Sequence, residues 1–258
     1  MAVVKDTKCA SEQGYKPNHL AGQVAVVTGA SSGIGRAIAL ALSHQGVQLC
    51  LIGRNPITLA ETVAAAGQCS KVTSFLVDLT DQEKIQPLIH HLEAVGRLNI
   101  LIHSAGVIRQ GAMENSHIGD FDLQYVTNMR MPYLVTQRLL PLLACARGQI
   151  VFINSSVGLD VKRPEIGQYA ATKHALKAMA DSLREEVNPR GIRVLTVYLG
   201  RTATPMQEKL FQQDRREYHP ETLLQPEDVA SVVVHALMLS STAEITDISI
   251  RPMIKSLP

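Results

Sequence analysis

Val24-Ala25-Val26-Val27-Thr28-Gly29-Ala30-Ser31-Ser32-Gly33-Ile34-Gly35 is the stretch whose reading decides the architecture. An unbroken apolar run of this kind has the composition of a short strand buried on both faces. The glycines that follow have the spacing Gly-x-x-x-Gly-x-Gly, and Arg36 to Gln45 continues with helical composition. Glycine is needed where the backbone turns tightly and where a pyrophosphate must approach the main chain. The N-terminus of the following helix adds free N–H groups and a positive dipole. Strand, glycine turn and helix in this order predict a nucleotide site at the first turn of an α/β protein.

The same alternation repeats along the chain. Apolar runs at Val47 to Ile52, Val72 to Val77, Leu98 to Ile102, Ile150 to Ile153 and Ile192 to Tyr198 predict five more strands, and Ile245 to Ile250 a short last one. Helical patterns fall between them, at Ile57 to Ala66, Thr80 to Val95 and His117 to Ala146, then from about Gln168 to Val187, and at Pro226 to Leu239. Thr80 and Glu83 have capping-box spacing, and Pro132 and Pro141 are expected kinks or boundaries. Residues 203–224 read as polar and irregular. About seven strands alternating with helices predict one doubly wound parallel sheet with helices on both faces. The expected domain is residues 21–258, preceded by an aperiodic polar arm at residues 1–20. In such sheets ligands bind at the carboxyl ends of the strands.

Composition narrows the function. The 258 residues are 46% hydrophobic and 19% charged with a net charge of +2, an ordinary balance for a globular protein. No basic run suggests nucleic acid or an anionic membrane surface. No stretch approaches the roughly 18 unbroken apolar residues of a membrane span, and no secretory h-region opens the chain. Cys9, Cys50, Cys69 and Cys145 are too scattered for a zinc site or a disulfide framework, so a reduced, cytoplasmic setting is expected. The nine histidines show no metal-ligand spacing, and no metal is expected.

Two further features carry chemistry. Gly53 stands at the end of the second strand, where a carboxylate would select NAD through the ribose 2′-hydroxyl, and Arg54 follows. An arginine there accommodates a 2′-phosphate, which favours NADP. Asp78, ending the third strand, is positioned either to accept from an adenine amino group or to cap the next turn. Tyr169 and Lys173 stand four residues apart in a helical segment, which puts their Cβ atoms roughly 5–6 Å apart on one face. A phenol with a pKa near 10 needs a stabilised anion to exchange protons at neutral pH, and a neighbouring ammonium supplies one.

Together these residues resemble the classical short-chain dehydrogenase/reductase family. The resemblance rests on Thr28-Gly29-x-x-x-Gly33-x-Gly35, Asp78, Ser104-Ala105-Gly106, Asn128, Ser156, Tyr169-x-x-x-Lys173, and Gly200 with Thr202. It implies a Rossmann-type fold and an NADP-dependent oxidoreductase interconverting a ketone or aldehyde with an alcohol. By the resemblance Tyr169 is the general acid or base, and Lys173 lowers its pKa and holds the nicotinamide ribose. Ser156, thirteen residues before Tyr169 at the family's usual interval, bonds the reacting oxygen in preference to Ser155. Asn128 holds a water that links Lys173 to solvent. The cofactor is expected along Gly29, Ser31, Ser32, Gly33, Ile34, Gly35, Arg54, Asp78, Leu79, Ser104, Ala105, Gly106, Gly200 and Thr202, together with Tyr169 and Lys173. A homodimer or homotetramer through the helices near 117–146 and 167–187 is implied as well.

His103 and Leu199 depart from the family's usual asparagine and proline. The first predicts an effect on stability, the second a looser backbone beside the carboxamide. The substrate walls are expected at Val107 to Asn115, Leu159 to Gly167 and Arg201 to Leu224. In the last stretch Lys209, Arg215 and Arg216 suit either an anionic substrate or a solvated helix face. The competing readings are a catalytically silent cofactor-binding scaffold, an epimerase or dehydratase of the extended relatives, and a 3-oxoacyl-carrier-protein reductase. The retained tetrad argues against the first, the glycine pattern and short C-terminal region against the second, and the lack of a glycine-rich chain end against the third.

Overall fold

The computed structural model describes residues 19–254, so the arm expected at residues 1–20 lies outside the described residues except for His19 and Leu20. Leu20 is buried in the core. The strands are β1 (Val24–Thr28), β2 (Gln48–Gly53), β3 (Val72–Leu76), β4 (Ile100–His103), β5 (Gln149–Ser155), β6 (Arg193–Leu199) and β7 (Asp247–Ile250). They form one sheet in the order β3-β2-β1-β4-β5-β6-β7, and every pairing is parallel.

Because side chains alternate along a strand, the sheet divides the core in two. Ala25 and Val27 of β1 face a layer containing α1 (Gly33–His44), α2 (Pro56–Ala66) and α8 (Pro226–Leu237), where Ile38, Leu42, Leu59 and Val233 are buried. Val24 and Val26 face the opposite layer, made by α3 (Gln86–Val95), α5 (Met131–Ala146) and α6 (Gly167–Val187) through Leu88, Leu139, Leu176 and Ala180. This is the expected doubly wound sheet, a Rossmann-type fold. The direction of winding reverses between β1 and β4, and in open α/β sheets that switch point opens a crevice at the carboxyl ends of the strands.

Four local expectations change. Residues 203–224 contain a helix, α7 (Pro205–Gln213), with the Thr204 side chain accepting from Gln207 N and Pro205 in its first turn. Its pattern is weakly apolar because only Leu210 and Phe211 are buried. The segment expected as one helix over 117–146 is α4 (Ile118–Tyr125), a π turn over Val126–Arg130, and α5. Pro132 sits at the start of α5, whereas Pro141 is accommodated inside it. The proposed Thr80 cap is replaced by Asp81, whose carboxylate accepts from Glu83 N at the start of a 3-10 turn, while Thr80 bonds Asp78 instead. Strand ends differ from the apolar runs by one or two residues, because polar residues such as Ser155 and Thr28 still pair in the sheet.

Candidate active site

The glycine turn is shaped by what lies against it. Gly29 has φ of +69°, and a Cβ there would stand 2.8 Å from Ala105 Cα. A Cβ on Gly35 would meet the Gly29 carbonyl oxygen at 2.3 Å. Thr28 ties the two strand ends together, its hydroxyl accepting from Ser104 N and Ala105 N, each at 3.1 Å. The turn and the Ser104-Ala105-Gly106 segment therefore meet at the switch point, as the sequence predicts.

Ser31 carries a buried hydroxyl with no partner, beside the end of β2. With Ser31 in this rotamer, a Cβ on Gly53 would fall 1.9 Å from its oxygen. Any side chain at position 53 would require the Ser31 hydroxyl to turn aside, so glycine lets Ser31 pack against the end of β2. Arg54 is exposed at the same strand end. The Asp78 carboxyl is held below its ordinary value first by the backbone N–H of Thr80, with smaller contributions from the Thr80 hydroxyl and from Arg54. Asp78 thus makes the local turn contact and remains exposed beside Arg54. These residues fit the adenosine end of a dinucleotide.

At the other end, Ser155 closes β5 and Tyr169 stands in the first turn of α6. The two elements are locked together. Asn154 Nδ2 donates to the Lys173 carbonyl at 3.1 Å, and a Cβ on Gly158 would lie 2.9 Å from that same oxygen. The result is that the Ser155 hydroxyl faces the Tyr169 phenol, close enough to lower its pKa against the larger effect of burial. Ser156, which the thirteen-residue interval selects, lies on the cleft wall but begins a 3-10 turn and is exposed. The interval spans a loop of unconstrained length, whereas the strand end determines which hydroxyl reaches the phenol. Ser155 is the serine at the tyrosine.

Lys173 is buried, its Nζ donating to the Ile153 carbonyl at 3.2 Å and lying 5.7 Å from the Tyr169 ring centroid. Burial lowers its pKa to about 8. Burial also pushes the Tyr169 phenol up to about 12, and the nearby Ser155 hydroxyl only partly offsets this. The expected lowering of the phenol by the lysine is therefore not what the geometry produces, since the ammonium bonds a carbonyl rather than the phenol oxygen. A phenol at about 12 keeps its proton at neutral pH.

Asn128, in the π turn, is fully buried with its amide committed. Its Oδ1 accepts from Val107 N at 2.8 Å, and its Nδ2 donates to the Val107 carbonyl at 2.9 Å and to Thr172 Oγ1 at 3.1 Å. The side chain brackets the β4 exit against α6. The expected water link would have to run past this amide rather than through it. Thr202 also turns inward, donating to the Gly200 carbonyl at 3.1 Å. Thr204, which the motif reading passes over, lies on the cleft wall with its methyl beside Gly33. His103 replaces the missing asparagine with different contacts, bonding Thr136 Oγ1 at 2.8 Å and stacking on Phe152 with centroids 4.9 Å apart.

The cleft encloses about 260 Å³ and joins Ser104, Gly106, Ser155, Tyr169, Lys173 and Thr204 in one space. Among the described residues, no group of three or more His, Cys, Asp or Glu could hold a metal ion, and no helix is long and apolar enough to cross a membrane.

The family model described as short chain dehydrogenase matches residues 23–215. An uncharacterized oxidoreductase of Staphylococcus epidermidis is 32% identical over 233 residues, covering 90% of this chain and 97% of that protein. The crystal structure of a metagenomic short-chain oxidoreductase in complex with NADP is 27% identical with a TM-score of 0.79, covering 92% of this chain and 100% of the other. A dehydrogenase/reductase from Sinorhizobium meliloti 1021 is 30% identical with a TM-score of 0.78, covering 90% and 94%. By its glycine turn, its sheet order and this match over three quarters of its length, the chain belongs to the short-chain dehydrogenase family.

Proposed function

We propose that the protein is an NADP-dependent oxidoreductase that interconverts a ketone or aldehyde with an alcohol, with Tyr169 as general acid and base. The observation that carries this reading is the Ser155 hydroxyl facing the Tyr169 phenol beside a buried Lys173, in one cleft with Ile34 of the glycine turn. A reduced nicotinamide supplies a hydride to the carbonyl carbon when bound. As the C–H bond forms, negative charge builds on the carbonyl oxygen, and the Ser155 hydroxyl donates to it as an oxyanion-hole donor. Tyr169 gives that oxygen its proton, completing the alcohol. Burial keeps the proton on the phenol at neutral pH, so the acid is loaded for the reductive direction. Lys173, its pKa lowered to about 8 by burial, carries charge at neutral pH and offsets the negative charge left on the phenolate. Asn128 is a positioning residue in this scheme, through Val107 and Thr172.

NADP is favoured over NAD by the exposed Arg54 at the end of β2 and by glycine, in place of a carboxylate, at position 53. The NADP complexes among similar structures, such as that of the short chain dehydrogenase from Burkholderia cenocepacia J2315, support the same choice. Residues 21–258 act as one domain in this reading. The exposed Tyr125 on α4 and Tyr133 on α5 support self-association, and the free Cys50, Cys69 and Cys145 support a cytoplasmic location.

The test is a panel of carbonyl compounds and alcohols followed by nicotinamide absorbance with each cofactor. Turnover of at least one member with NADPH, and slower turnover with NADH, is expected. Binding of NADPH without turnover of any carbonyl or alcohol would favour the silent scaffold instead.

A further inference from the structure

The wall of the cleft away from the glycine turn is built from two stretches far apart in sequence, the loop after β5 and the segment that follows β6. Arg163 comes from the loop after β5, Arg201 follows β6, and Met206, Gln207 and Leu210 come from α7. With Lys173 these make three cationic side chains on the cleft surface, and among the described residues lining it there is no carboxylate. An apolar substrate would have no use for such a wall, and a cationic one would be repelled.

The guanidiniums are also held in place. Arg201 lies over the face of Phe211, 5.7 Å from its centroid, and Arg216 lies over the same ring at 5.2 Å. Phe211 is itself buried and packed edge-on against Tyr218, with centroids 5.5 Å apart. Arg163 is held by Gln110, whose amide, in the orientation that satisfies both neighbours, accepts from Arg163 and donates to Asp214 Oδ1 at 3.3 Å. Gln110, Arg163 and Asp214 thereby join the three expected substrate walls. Crowding of like charge accompanies this order: Arg201 has its pKa lowered by burial first, then by Arg216 and Arg163, with Asp214 alone opposing. Planar guanidiniums pre-set by stacking and by an amide bracket are suited to two-point recognition of an oxyanion.

We propose that the substrate of the Tyr169 site carries an anionic oxygen group, a carboxylate or a phosphate, and that Arg163 and Arg201 bind it while its carbonyl meets Ser155 and Tyr169. This rests on the oxidoreductase reading above and adds the substrate class to it. Lys209 and Arg215 are exposed and stand outside this set, while Arg216 stacks on the Phe211 ring.

The experiment compares matched pairs with NADPH: an oxo acid against its methyl ester, and a phosphorylated hydroxyketone against the free hydroxyketone. The charged member of at least one pair should have a kcat/KM higher by about tenfold or more, by the strength of charge-assisted bonds. The pair that shows the preference distinguishes carboxylate from phosphate. The advantage should shrink in high salt, collapse toward unity in Arg201→Gln and Arg163→Gln, and persist in part in Arg201→Lys. Arg163→Gln could lose its fold with the Gln110 bracket, so Arg201→Gln and the wild-type pairs stand on their own. Equal turnover of charged and neutral members would overturn this inference and leave the oxidoreductase reading intact. If no carbonyl is turned over, the oxidoreductase reading fails. The melting temperature of the NADP-loaded protein then decides the anion site, because stabilisation by the oxo acid or phosphate but not by its neutral partner supports it and equal shifts sink it.

Discussion

His103 is a buried neutral imidazole, and acid should expose its cost. Its side chain is 3% exposed and burial lowers its pKa from 6.5 to about 3. In the unfolded chain the ring binds a proton below 6.5; in the folded protein it does so only near 3. The folded-state value is the lower one for a base, so stability is complete above 6.5 and declines as pH falls toward 3. Each pH unit in that window is worth about 1.4 kcal/mol, so at pH 4.5 the loss is about 3 kcal/mol from this one residue. Carboxylates titrate in the same range, and His103→Asn isolates the imidazole because an amide does not titrate. Urea unfolding at fixed protein concentration, at pH 7.5 and 4.5, measures both proteins. The substitution should be destabilising at pH 7.5, where it loses the Phe152 stack and the Thr136 bond, and the wild type should then lose about 3 kcal/mol more than the variant on acidification. Identical pH dependence for the two proteins would refute the buried neutral histidine.

Other substitutions test the remaining assignments. Ser155→Ala should cost about 10²–10³ in kcat as the loss of one oxyanion donor, while Ser156→Ala should change it by no more than about threefold. The reverse ranking would restore the interval-based choice. Arg54→Ala should weaken NADPH by about tenfold and NADH hardly at all, measured by fluorescence titration, since a charge-assisted bond to the 2′-phosphate is what it removes. Gly35→Ala places a methyl against the Gly29 carbonyl, and the expected result is loss of dinucleotide binding in the same titration together with a lower melting temperature.

The sheet was legible because buried parallel strands are continuous apolar runs and the glycine turn punctuates the first of them. Gly29, Gly35, Tyr169 and Lys173 could likewise be found, since the glycine spacing between strand and helix and the four-residue spacing on a helix are patterns along the chain. What escaped depends on geometry between segments. Ser155 and Ser156 are adjacent in sequence, and only the end of β5, pinned to α6 by Asn154 and Gly158, decides which one meets the phenol. The phenol's upward displacement follows from burial, which no four-residue spacing encodes. Thr204-Pro205 is a readable helix start that the polar look of residues 203–224 concealed. Gln110, Arg163, Arg201 and Asp214 come from three loops that the order of β4, β5 and β6 gathers on one side of the cleft, so their association has no signature along the chain.

Tyr169→Phe keeps the ring and its packing and removes the proton. Single-turnover hydride transfer from NADPH, with cofactor affinity measured in parallel, tests the central claim most directly. The expected result is a rate lower by about 10²–10⁴ with NADPH affinity within about threefold of wild type. Undiminished hydride transfer by the phenylalanine variant would contradict Tyr169 as the proton donor.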